Sequence, residues 1–183
     1  LFAVAPRSSP SHNPSDGALA ALFGSEPSAA GVDVDEYKAL NSSAFWFGVR
    51  LISEAVASLP CIYYQRLPGG GKERAADEDL YELVHDTPND EMTSMVYRET
   101  SQAHVVTWGN CYSEIERRGN GQPKALWPLT PNSVAVDRDK AGRIIYRTAG
   151  LGTSIPAPAD RMLHVPGLGY DGLIGYDVIS FMK

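Results

Sequence analysis

Between Asn41 and Pro60 the apolar residues Phe45, Val49, Ile52, Val56 and Leu59 recur at spacings of four, three, four and three. An α-helix repeats one face at that period, so the stretch predicts an amphipathic helix with this stripe buried. Ser42 or Ser43 can cap its start. Pro60 stops it, because the residue before a proline is pushed out of the helical region. The β-favouring run Cys61–Leu67 ends at the flexible turn "PGGGKER". "DEDLYELVH" predicts a short helix with Leu80, Leu83 and Val84 on one side and acids in its first turn, where they suit the helix dipole.

Thr93 or Ser94 then caps a second long helix, "SMVYRETSQAHVVTW", with Met95, Ala103 and Val106 on its buried face. After Gly109 the period shortens to two. Cys111, Ser113, Ile115 and Arg117 fall on one side of a strand, and Tyr112, Glu114, Glu116 and Arg118 on the other. "GNG" is a hairpin turn signal and "KALWPL" the return strand. "SVAVDRDKAGRIIYRTA" predicts a second hairpin and "RMLHV" one more strand. A glycine-rich loop, "GLGYDGLIGY", leads to the start of a helix capped by Asp177. Helices first and antiparallel hairpins after predict an α+β fold over residues 41–183. Residues 1–40 are rich in Pro, Ser, Ala and Gly, too poor in apolar surface to offset the entropy of ordering, and predict a flexible arm.

Composition changes this picture little: 43% hydrophobic and 21% charged residues are ordinary for a chain with a packed core. No run of 18 apolar residues predicts a membrane-spanning helix, and no membrane partner is expected. The net charge of -6 disfavours tight binding to nucleic-acid phosphates, which takes clustered Lys and Arg. Its distribution is uneven. Residues 66–91 hold three cations against eight acids, and residues 111–147 seven cations against four acids.

Cys111 raises the question of chemistry. A nucleophilic cysteine needs a base within reach, and His104, or less readily His164, would have to supply it in a small cysteine hydrolase. Cys111, however, follows a helix C-terminus, where the dipole disfavours a thiolate. An inward-facing core cysteine is the competing reading. "GLGYDGLIG" lacks the lysine and Ser/Thr of a phosphate loop. The two cysteines and four scattered histidines form no cluster that would hold a metal. No catalytic, cofactor-binding or metal residues are therefore expected, and no cofactor.

Several segments together resemble the portal proteins of tailed bacteriophages, of the siphophage type. Arg50–Pro60 is similar to that family's opening helix, and "HDTPND" (His85–Asp90) to its His–x–x–Pro–Asn break, followed by Glu91, Met92 and Thr93. Trp108, Gly109, Asn110, Tyr112 and Glu114 resemble its Trp–Gly–Asn–x–Tyr–x–Glu signature, and Ala125–Val134 its next strand and turn. Leu163–Gly175 resembles its His–x–x–Gly and Asp–Gly–x–x–Gly loop. Cys111 departs from the small residue usual in the signature, and "GYDVIS" from a Gly–Leu–Ser–Pro-like helix start.

The resemblance implies a wing-type portal domain over residues 41–183 and, since the family's chains run on into tunnel helices, clip and crown, a fragment or remnant of a longer protein. It implies a ring of about twelve subunits at one capsid vertex, built on one repeated heterologous contact. It further implies contacts with the terminase large subunit, the major capsid protein and a head–tail adaptor. Double-stranded DNA would pass through without sequence-specific binding. Assembly in the bacterial host cytoplasm, residence in the virion and no enzymatic activity follow from the same likeness. In such a ring the acidic and basic blocks could face each other between neighbours; the competing reading is two ordinary solvated faces.

Overall fold

The computed structural model describes residues 36–148, 156–169 and 171–181. Most of the arm expected over residues 1–40 lies outside the described residues; its last part, Glu36–Ala39, is a helical turn, α1. The first long helix, α2 (Ser43–Ala57), starts after Ser42 as the sequence implies. A three-residue strand β1 (Tyr64–Arg66) pairs antiparallel with β2 (Lys72–Arg74). A short helix α3 (Asp79–Tyr81) runs into a wider π-type turn, Glu82–Asp86. The second long helix, α4 (Ser94–Trp108), is capped by the Thr93 hydroxyl, which accepts from the Val96 N–H at 3.4 Å.

Among the described residues, two three-stranded antiparallel sheets follow. One has the order β4 (Pro123–Leu129), β3 (Asn110–Arg117), β8 (Met162–Pro166). The other has the order β5 (Val134–Arg138), β6 (Ile144–Thr148), β7 (Ala157–Pro158). A last helix, α5 (Val178–Phe181), carries the expected Asp177 cap, its carboxylate accepting from the Ile179 N–H at 2.9 Å. The α+β class is therefore the observed one.

The core explains why β3 is buried over its first half on both faces. On one face Cys111 and Ser113 lie under α4, whose Tyr97 hydroxyl meets the Ser113 hydroxyl at 2.7 Å. On the other, Tyr112 joins Val134, Val136, Tyr146 and Met162 in a cluster where the two sheets meet. The alternation read from the sequence is right, yet both of its faces are interior.

The helix faces require correction. α2 buries Val49, Ser53 and Ala57 against α4, and of the expected stripe Ile52, Val56 and Leu59 are exposed. The reason is close approach. Arg98 of α4 reaches across to the Ala57 carbonyl at 2.9 Å, and small residues at 53 and 57 leave room for it. That bond also brings a cation to carbonyls left open at a helix C-terminus. Leu80 and Met95, expected to be buried, are likewise exposed.

Candidate functional site

Sequence segments distant along the chain converge on Asn110. α4 ends at Gly109, whose φ of 72° lies in the left-handed region that closes helices. A Cβ there would overlap the Tyr176 carbonyl, so close approach as well as conformation requires glycine. The next side chain, Asn110, is buried. Its Oδ1 accepts from the Gly175 N–H at 2.8 Å and its Nδ2 donates to the Gly175 carbonyl at 2.9 Å. A side-chain amide thus pairs with a backbone residue as one strand residue pairs with another. A Cβ on Gly175 would overlap the Gly109 carbonyl oxygen, and that oxygen also accepts from the Gly167 N–H at 2.7 Å.

His164 completes the node. Its Nε2 lies 3.1 Å from Asn110 Oδ1 and its Nδ1 3.3 Å from the Tyr146 hydroxyl. Since Oδ1 only accepts, Nε2 carries the proton and Nδ1 receives the Tyr146 hydroxyl hydrogen. The ring stacks on Tyr112 at 4.4 Å between centroids. Burial lowers its pKa to about 4, against a smaller upward pull from Asp171. Asp171 itself accepts the N–H groups of Leu173 (2.8 Å) and Ile174 (3.0 Å), which fixes the loop. Asn110, Tyr112, His164, Gly167, Asp171 and Gly175 therefore form one scaffold joining α4, both sheets and the final loop.

A second node has the same logic. The Leu126 N–H donates to the Pro88 carbonyl at 2.8 Å, and buried Asn89 donates its amide to the Leu126 carbonyl at 2.7 Å. The Pro–Asn break thus adds a strand-like partner along β4. Periodicity missed both asparagines and the inward Tyr146, because a side chain that imitates backbone leaves no pattern. The usable signal was an Asn directly beside a chain-turning Gly or Pro.

The nucleophile alternative fails on geometry and charge. Cys111 is buried, and burial raises its pKa, only partly offset by the Ser101 and Ser113 hydroxyls. Ser101 lies close without a well-formed hydrogen bond of its own. His104 has its Nδ1 buried and unpartnered, its ring edge-on to Trp108 at 5.7 Å, and burial lowers its pKa to about 4. Among the described residues no hydrogen bond joins it to Cys111. The environment thus disfavours both the thiolate and the imidazolium that a Cys–His pair needs. His164 is committed to Asn110 and Tyr146.

The acidic and basic blocks, expected to meet between neighbours, already touch within one chain, where Arg118 is ion-paired with Asp79. Most cations near the sheets are similarly matched: Lys124 with Glu116 at 2.5 Å, Arg143 with Asp139 at 2.8 Å and Arg147 with Asp137 at 3.0 Å.

The family model described as phage portal protein matches residues 43–183. The chain belongs to the phage portal protein family. The portal protein of Enterobacteria phage HK97 is 26% identical over 150 residues, 81% of this chain and 35% of that protein. Protein BeeE of Escherichia coli strain K12 is 31% identical over 104 residues, 57% of this chain and 65% of its own length. The portal-family chain thus spans about a third of the HK97 relative and two thirds of BeeE. Among solved structures, a chain in the neck of an empty gene transfer agent particle, computed with C6 symmetry, shares the fold at TM-score 0.66. That likeness has 20% identity and covers 85% of this chain and 45% of the other. A chain in the neck of the native particle, computed with C12 symmetry, matches at TM-score 0.58 and 19% identity, covering 92% and 40%.

Proposed function

We propose that residues 41–183 are the wing-type part of a portal ring, a structural component at one capsid vertex through which DNA is packaged and ejected. The observation that carries this reading is the family match over residues 43–183, within which the family's motifs serve as internal scaffold. A motif used for packing has no need of a nucleophile, and the portal part is accordingly not an enzyme. The C12 and C6 necks of the structural relatives support a cyclic arrangement for this chain too. A cyclic ring repeats one heterologous contact, so two different faces of each subunit must be complementary. The partners of this reading are further copies, the terminase large subunit, the major capsid protein and a head–tail adaptor. Assembly is in the host cytoplasm and the product resides in the virion. No catalytic, metal or cofactor residue belongs to it. The test is to tag the chain in the phage or prophage that encodes it and image gold-labelled particles. The label belongs at a single vertex. Label spread over the shell, or absent from particles, would defeat the reading.

A further inference from the structure

Among the described strands, only β1 and β2 have every residue exposed. A lone two-stranded hairpin is marginally stable in water, since neither face is covered. This one is tied at its base, where the N–H of buried Ala75 donates to the Tyr63 carbonyl at 3.1 Å. Beyond that base it carries Arg66, Lys72 and Arg74 against the single acid Glu73, with Tyr63, Tyr64 and Leu67 exposed beside them. Lys72 sits over the Tyr64 ring, 4.7 Å from its centroid. Among the described residues neither Arg66 nor Arg74 has an acidic partner, whereas the cations of the β3–β4 and β5–β6 hairpins are mostly paired.

The complementary charge lies just after it. Asp77, Glu78, Asp79 and Glu82 follow with no Lys or Arg between them. Asp79 is held by Arg118, which anchors the turn to the β3–β4 hairpin. Asp77, Glu78 and Glu82 are exposed and, among the described residues, unpaired. Although neighbours in sequence, the basic hairpin and this acidic turn form no ion pair with each other among the described residues. We propose that the β1–β2 hairpin is an arm that docks on the acidic turn Asp77–Glu82 of a second copy of this chain. Exposed opposite charges orient such a contact and set its partner more than its strength, and salt weakens it. The arm and the turn are two different faces, as a repeated heterologous contact demands. The inference rests on the ring reading and names the surfaces that close it.

The experiment mixes isotopically labelled and unlabelled full chain and joins carboxylates to lysines with a carbodiimide. Peptides containing one label of each kind report contacts between copies. The expected product links Lys72 to Asp77, Glu78 or Glu82 in mixed-isotope form. Its yield should fall roughly ten-fold in Arg66→Glu, Arg74→Glu chain, and hairpin-to-turn links between copies should return when that chain is mixed with Glu78→Lys, Glu82→Lys chain, now from Lys72 to Asp77 and between the introduced carboxylates and amines. All four changed residues are exposed, and circular dichroism verifies that the variants fold. Mixed-isotope links found elsewhere but not at the hairpin overturn this contact and leave the ring reading standing. Hairpin links found only within one copy overturn it as well. Absence of any link between copies overturns both.

Discussion

Asn110 holds Gly175 by both edges of its backbone, at 2.8 and 2.9 Å, across 65 residues of chain. The pairing joins the Trp–Gly–Asn signature to the Asp–Gly–x–x–Gly loop, so two motifs that look unrelated in sequence are halves of one contact. Removing the amide strands a buried N–H and a buried carbonyl, each costing about 1–3 kcal/mol. Asn110→Ala should therefore destabilise the fold by roughly 2–4 kcal/mol in urea denaturation. A loss under about 0.5 kcal/mol would mean the loop is held by something else.

Glycine requirements differ sharply from site to site. A methyl at Gly175 would overlap the Gly109 carbonyl, whereas at Gly48, within α2, nothing lies within 4 Å of the new atom. Gly175→Ala should cost at least about 1–3 kcal/mol, the usual range for overpacking. Gly48→Ala should stabilise by about 0.5–1 kcal/mol through helix propensity alone. Thermal melts of the two variants side by side check the opposite signs.

The face of α2 is tested by two neighbouring truncations. Val49 is 4% exposed and Ile52 46%. Val49→Ala should cost about 1.5–3 kcal/mol and Ile52→Ala about 1 or less in the isolated chain. Equal costs would restore the stripe first read from the sequence.

That stripe shows where sequence reading stopped. Period and caps placed α2, α4 and the hairpins within a few residues, because each follows from local chemistry. The seam between α2 and α4 did not follow, because Ser53 and Ala57 are small rather than greasy and pack by letting backbones approach. β8 was legible as a strand, yet its pairing with β3 was not, since that partner lies some fifty residues away and no local signal names it. The inward use of Cys111 was legible from its place after a helix C-terminus.

Acid should weaken the fold through two imidazoles. His104 and His164 both fall to about 4 in the folded chain, from an ordinary 6.5. The unfolded chain then binds more protons than the folded one between those values, so their contribution is full above pH 6.5 and declines as pH falls towards 4. Solvent screening of these partly buried rings holds each below the full value of its shift, at roughly 1–2 kcal/mol over that window. The carboxyl groups of Asp137, Asp139 and Asp171 lie below their ordinary values, so their losses come at lower pH. His164→Gln should flatten the fall in urea midpoint between pH 6.5 and 4. An unchanged slope would show that His164 titrates normally.

The central claim is that this chain is a ring subunit, and electron microscopy of the purified full chain across a concentration series tests it most directly. The account predicts closed rings of one cyclic symmetry, growing in number with concentration and retreating in high salt. Monomers at every concentration, or two-fold dimers that never close into rings, would contradict it.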